Sequence, residues 1–114
     1  MSQLANRPLE ALPEQHYQLS QAEINQLLDQ INDWHIEQST PEPQLIRSFK
    51  FNNYRKALNF TIKIGELAEQ FNHHPSILLE WGEVRVCWWT HKIGGLHIND
   101  FIMAARTDQV FSET

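Results

Sequence analysis

Cysteine occurs once in 114 residues, at Cys87. An internal disulfide is therefore excluded, as is a zinc motif built on cysteine pairs, and a reducing compartment is the expected setting. Positive charge is scarce too. Nine Lys and Arg against 14 Asp and Glu leave a net charge of −5. Affinity for nucleic acid depends on Lys and Arg neutralising phosphates, so nucleic acid is not an expected partner, whereas a small neutral ligand is allowed. No apolar run approaches the ~20 residues of a membrane-spanning helix. No basic segment followed by an apolar run opens the sequence, so no secretory signal is expected and the protein is placed in the cytoplasm. No Gly-x-Ser-x-Gly elbow is present, which removes the support for serine-type nucleophilic catalysis. Cys87 falls mid-strand beside tryptophans, the setting of a structural thiol rather than a reactive thiolate.

What is present is enough for one domain with a substantial core. Residues 1–18 mix Pro8, Pro13, scattered leucines and His16 with no sustained period. They read as an N-terminal arm, His16 being solvated, ahead of a single domain over 19–114. Ser20-Gln21-Ala22-Glu23 is a capping box. Ile24, Leu27, Leu28 and Ile31 follow with helical spacing, and Asn32 and Asp33 end that helix. Strands are expected over 34–38 and 45–51, joined across Thr40-Pro41-Glu42-Pro43 as a hairpin. In the second strand Leu45, Arg47, Phe49 and Phe51 share one face.

Asn53 is suited to cap a long helix over 54–72. Its apolar residues form two stripes, one of Tyr54, Ala57, Leu58, Thr61, Gly65 and Ala68, the other of Phe60, Ile64, Leu67 and Phe71. Two stripes exceed what one sheet face needs: either part of the helix packs on another subunit, or the helix is buried more deeply than usual. A strand over 77–81, a turn at Gly82-Glu83 and a strand over 84–91 make the second hairpin, with Val84, Val86, Trp88 and Thr90 opposite Arg85, Cys87, Trp89 and His91. Lys92 to Gly95 is a loop, and a last helix runs over 98–111 with Ile98, Phe101, Ile102, Ala105 and Val110 inward. The order α-β-β-α-β-β-α predicts an α+β fold, a four-stranded antiparallel sheet with three helices packed on one face.

The chemistry concentrates around Glu69-Gln70-Phe71-Asn72-His73-His74-Pro75. Glu69 and His73 stand at i and i+4, on one helical face if the helix persists that far. Pro75 disfavours helical geometry at the residue before it, which predicts a helix end near His74. Two readings are open. The histidines can be helix-end residues favoured by the dipole and by spare carbonyls, or part of a site with His91 and Asp100. Asp100 is likewise either a first-turn acid or a site residue, Glu69 either solvated or functional, and Trp81 either core or a flat wall for a planar ring. Three histidines and a carboxylate are also zinc-ligand types. Adjacent residues rarely ligate one ion together, however, and no His-x-x-x-His pair occurs, so no metal is expected.

The set Glu69, His73-His74-Pro75, Trp81, His91 and Asp100, at these separations, resembles the pterin-4a-carbinolamine dehydratase family. Upstream, Trp34, Ile46-x-x-Phe49-x-Phe51 and Asn53-Tyr54 are similar to that family's Trp and its aromatic strand leading into the long helix. Downstream, Thr90-His91, Gly94-Gly95-Leu96 and Asp100 are similar to its Thr-His, Gly-Leu and Asp landmarks. The likeness covers residues 18–111. It implies a lyase that removes water from a 4a-hydroxytetrahydropterin to give quinonoid dihydropterin, recycling the pterin of aromatic amino-acid hydroxylases without a metal or organic cofactor. It implies a homodimer or homotetramer. It also implies that His73, His74 and His91 serve as acid-base and binding histidines, with His74 or His91 moving protons and His73 positioning substrate, and that Glu69, Pro75, Trp81 and Asp100 contact or orient the pterin. The alternative is a family-like binding module, a pterin-handling protein or a dimerisation cofactor without dehydratase activity. Two positions depart from the pattern. Asp33 precedes the Trp where a Gly is common. His97 stands where a small hydroxyl residue caps the last helix, and as a poorer N-cap it predicts a start at Asn99 or a different cap.

Overall fold

The computed structural model describes residues 3–11 and 19–114, so His16 and its neighbours lie outside the described residues. The order after a short 3₁₀ turn at Gln3–Asn6 is α1 (Gln21–Leu28), β1 (His35–Glu37), β2 (Gln44–Lys50), α2 (Tyr54–Phe71), β3 (Ser76–Glu80), β4 (Glu83–Trp88) and α3 (Ile98–Ser112). The four strands make one antiparallel sheet in the order β1-β2-β4-β3. This is the α+β arrangement that the sequence pattern predicts. Among the described residues no helix is long and apolar enough to cross a membrane.

Each element follows from local chemistry. The capping box forms as expected, with Ser20 Oγ accepting from Glu23 N at 3.2 Å and Glu23 Oε1 from Ser20 N at 2.9 Å. The helix closes at Leu28, earlier than expected, because the following turns tighten to i→i−3 bonds, from Gln30 to Leu27 and from Ile31 to Leu28. Ile31 stays in the core all the same. β1 is shorter than its expected span and begins after Trp34.

β2 and β4 are the central strands. Leu45 and Phe49 on one, Val84, Val86 and Trp88 on the other, are buried. Phe49 meets Phe60 and Phe111 at 4.8 and 4.9 Å between ring centroids, tying the sheet to α2 and α3. Arg47 shares this inner face. Its Nη1 donates to Asp108 Oδ1 on α3 at 2.6 Å, and Trp34 Nε1 donates to the same oxygen at 2.7 Å. Burial pushes the Asp108 carboxyl above its usual range, and these two donors pull it back.

Two expectations about the hairpins are corrected. The second turn is Trp81-Gly82, not Gly82-Glu83, because Glu83 is a strand residue paired with Glu80 and Lys50. Gly82 is needed there: Phe51 N donates to Gly82 O at 2.9 Å, and a Cβ at Gly82 would lie 3.0 Å from Phe51 O. The fourth strand ends at Trp88, so His91 is not a strand residue but opens a 3₁₀ turn, His91–Ile93.

In α2 the two expected stripes resolve into one buried ridge, Ala57, Phe60, Ile64 and Ala68, drawn from both. The flank holding Tyr54 and Ile62 stays 47% and 50% exposed. The helix also ends before His74. Asn72 adopts the left-handed conformation at φ 52°, ψ 41°, and His73 N reaches back to Ala68 O at 3.1 Å. That six-to-one bond satisfies a carbonyl of the last turn, and Asn tolerates the left-handed angles better than most residues. The turn at Asn72, rather than Pro75, therefore ejects both histidines from the helix.

Asn72→Gly is expected to keep or slightly raise stability. Asn72→Val should lower it by about 1–2 kcal/mol, the cost of left-handed angles for a side-chain-bearing residue. Urea denaturation of the two variants tests this; equal midpoints would remove the role given to Asn72.

Candidate active site

Three chain segments converge on one carboxylate. The first, residues 73–75, leaves α2 at Asn72 and enters β3. The second follows β4, where Thr90 bridges to Gly95, with Thr90 N donating to Gly95 O at 2.9 Å. The intervening 3₁₀ turn closes on Gly94 at φ 68°, an angle that suits glycine. The third is the first turn of α3. His97 is its N-cap after all. Its Nδ1 accepts from Asn99 N at 3.1 Å, standing in for a hydroxyl oxygen, and Asp100 reaches back to His97 N to complete a capping box.

Asp100 is fully buried. Its Oδ2 accepts from Thr90 Oγ1 at 2.8 Å and from His97 N at 2.9 Å, and its Oδ1 lies 2.6 Å from His73 Nε2. An ionised carboxylate only accepts, so this contact has His73 donating from Nε2. The His73 ring is stacked on Trp88, 5.6 Å between centroids and 7° from parallel. Trp88 is held in turn by its Nε1 donating to Thr107 Oγ1 at 3.1 Å. His73 is thus fixed on an edge and on a face, with 12% of its side chain exposed.

His97 is buried beside the same carboxylate. Burial holds its imidazole below the usual histidine range. The Asp100 and Glu10 charges oppose that shift, and His73 adds to it. A neutral His97 is what the cap requires, because Nδ1 must keep its lone pair.

The other expected residues lie in separate groups. His74 is half-exposed and pairs with Glu69, so Glu69 partners His74 rather than His73. The break at Asn72 accounts for the change, because the i, i+4 relation does not survive it. Pro75 is half-buried at the entry to β3. His91 is 73% exposed and accepts at Nδ1 from Trp89 Nε1 at 3.2 Å. Glu42, from the first hairpin loop, approaches His91 Nδ1 at 3.8 Å. Trp81 is not brought to the histidines of its own chain. It is 70% exposed at the far end of β3, and a five-residue strand spans roughly 17 Å. Among the described residues no group of three or more His, Cys, Asp or Glu side chains is arranged to hold a metal ion.

Thr90, Trp88 and His97 are parts of this site to which the residue patterns assign no role. Thr90 carried a signal, being the polar member of the buried face Val84, Val86, Trp88, Thr90. Trp88 carried none, since a core tryptophan and a tryptophan under a histidine ring look the same in a strand pattern.

Comparison with known proteins finds one family. Residues 17–110 match the model of the family described as pterin 4 alpha carbinolamine dehydratase. A Chlorobium luteolum protein is 50% identical over 95 residues, 83% of each chain. A Marinobacter nauticus protein is 49% identical over 111 residues, 97% of this chain and 100% of the other. Both are named "Putative pterin-4-alpha-carbinolamine dehydratase". A crystal structure from Brucella melitensis, described as a transcriptional coactivator/pterin dehydratase, superposes with a TM-score of 0.75 at 26% identity, covering 82% of this chain and 98% of the other. A pterin dehydratase-like RuBisCO assembly factor shares the fold at a TM-score of 0.58 and 23% identity, over 68% of this chain and 88% of its own.

The His97 cap makes stability depend on pH. With its folded pKa below the unfolded value of 6.5, the unfolded chain binds the extra proton, so this contribution is present above that value and lost as pH falls toward the folded pKa. Urea midpoints at pH 7.5 and pH 5 should therefore differ less in His97→Ser, which caps through a hydroxyl, than in the native protein. An undiminished difference would show that His97 is not the group responsible.

Proposed function

The chain belongs to the pterin 4 alpha carbinolamine dehydratase family, and from that premise we propose that it is a hydro-lyase acting on a 4a-hydroxytetrahydropterin by histidine acid-base catalysis. The hydroxyl on carbon 4a takes a proton and leaves as water, a ring N–H gives a proton up, and quinonoid dihydropterin remains. No electrons are transferred. The proposed role is recycling of the pterin used by an aromatic amino-acid hydroxylase, with a reductase consuming the product.

The observation that carries the site assignment is the buried Asp100 carboxylate bonded to His73. A ring clamped by Asp100 and Trp88 is suited to positioning, so His73 is assigned to orient the pterin. His74 and His91 are exposed and can exchange protons with solvent, so they are assigned the proton transfers. Glu69 orients His74, and Pro75 shapes the entry to the site. Trp81, too far along β3 to wall its own site, is assigned to contact pterin bound to another copy. Self-association as a homodimer or homotetramer is supported by the exposed Tyr54 and Ile62 on α2.

Decay of freshly generated 4a-hydroxytetrahydropterin should be faster with the protein than without it. Unaltered decay would leave the binding-module reading in its place. His74→Ala and His91→Ala are expected to lower kcat by about 10²-fold, the low end of acid-base contributions. His73→Ala should act mainly on KM, and a loss confined to kcat would reverse that assignment. In sedimentation velocity the native protein is expected above monomer mass and Ile62→Asp shifted toward monomer; an unchanged profile would move the interface off this flank of α2.

A further inference from the structure

Lysine is rare in this chain, at four positions, and three of the four, Lys50, Lys56 and Lys63, line one cleft. The cleft has a volume of about 540 Å³ and opens between the end of β2, the outer side of α2 and the end of α3. Among the described residues no Asp, Glu or histidine side chain lines it; the remaining polar lining is Asn52, Asn59 and Thr114. In a molecule of net charge −5, such a collection of one sign runs against the whole.

The floor is aromatic. Phe51, Phe60 and Phe111 pack on one another with centroids 5.2, 5.6 and 5.8 Å apart, two of the three pairs edge to face. Phe49 supports Phe60 and Phe111 from the core side, so the floor is rigid. Asn52 and Asn59 add amide donors and acceptors at the walls. The volume falls within the range of small-molecule sites, and a few polar groups over an apolar floor is their usual composition.

The charges are largely uncommitted. Lys50 pairs with Glu83. Among the described residues neither Lys56 nor Lys63 has a carboxylate partner, although Glu66 and Glu113 share the adjoining cleft with Lys63. Lys56 and Lys63 are seven residues apart on one side of α2, about 10.5 Å along the axis, within mutual reach of two long flexible side chains. The first turn of α2 contains no acid, and Arg55 and Lys56 lie in it. Cations there oppose the helix dipole, a local cost that a bound anion would offset.

We propose that this cleft binds a small aromatic anion, its flat ring on the part-exposed Phe51 and Phe111, which the buried Phe60 backs, and its carboxylate or phosphate group between Lys56 and Lys63. The ring supplies dispersion and stacking on the floor. The anionic group meets the two lysines together. Neither half suffices alone, since exposed lysines hold a free anion weakly and a neutral ring leaves the charges unsatisfied. The site is separate from the histidine groups.

The test is a titration of the intact protein, followed by amide ¹H–¹⁵N shifts, with phenylphosphate and phenylacetate as probes and with inorganic phosphate and benzyl alcohol as the two halves. At least one aromatic anion should saturate, with shifts at residues 50–63 and 111–114, and each half should bind at least about tenfold more weakly. The double variant Lys56→Gln/Lys63→Gln, altered only at exposed positions, should weaken the aromatic anion by about tenfold or more while leaving pterin dehydration unchanged. Three results would overturn the proposal: equal binding of inorganic phosphate, binding unaffected by the double variant, or shifts centred on His73 and Asp100. A dehydration rate that falls with the loss of binding would overturn the separateness of the site.

Discussion

A carboxylate with no exposure to water is tolerated only where donors replace the water it has lost, because an unpaired buried charge costs several kcal/mol. Asp100 meets that condition through three donors from three segments: the ring of His73 after α2, the hydroxyl of Thr90 after β4, and the backbone of His97 at the start of α3. Of the three only His97 is close to Asp100 in sequence, Thr90 and His73 lying 10 and 27 residues away. The carboxylate therefore acts as a junction. The cap of one helix, the exit of a central strand and the exit of another helix are located relative to one another by the requirement that one anion be satisfied.

Helix α3 carries a second acid with the opposite problem. Asp100 sits in the first turn, where the helix dipole favours a negative charge. Asp108 sits near the other end, where it does not, and its carboxyl is pushed above the usual range by burial. The fold supplies Arg47 and the Trp34 indole there, and stacks the guanidinium over Phe49 at 4.3 Å. One helix is thus pinned to the sheet at both ends by polar contacts, with Phe101, Ile102 and Ala105 buried between them. Geometry at the site is coupled to core packing through Trp88, which is both a buried residue of the sheet face and the platform under His73.

Much of this was legible in the residues. The element order, the helix caps at Ser20 and Asn53, and the buried row of Val84, Val86, Trp88 and Thr90 follow from period and capping chemistry alone. The failures have identifiable causes. The end of α2 is legible to within a residue, but its cause is not: the left-handed turn at Asn72 acts before the restriction ahead of Pro75. The partner of Glu69 changed with it. The His97 cap was read as a weakness because capping scales rank side-chain oxygens, whereas a neutral imidazole nitrogen in the right place also accepts. The pairing of Asp100 with His73 spans 27 residues, and Arg47 with Asp108 spans 61. Local pattern holds no information at that range. The first pair enters one site as one of two open readings that the family resemblance then favours, and nothing in the sequence points to the second.

The segment before α1 is stitched to the site helix. Glu10 N donates to Asn99 Oδ1 and Asn99 Nδ2 donates to Glu10 O, both at 2.8 Å, while Arg106 donates to the carbonyls of Ala5 and Arg7. Asn99 lies between the His97 cap and Asp100. Residues 3–11 are synthesised well before the surface they bind, which lies 89 to 101 residues later in the sequence. Such distant pairings carry the loop-closure cost that slows folding. Asn99, next to Asp100 in the first turn of α3, is therefore fixed by a contact of long sequence separation, so the surroundings of the site are complete only once residues 3–11 have docked.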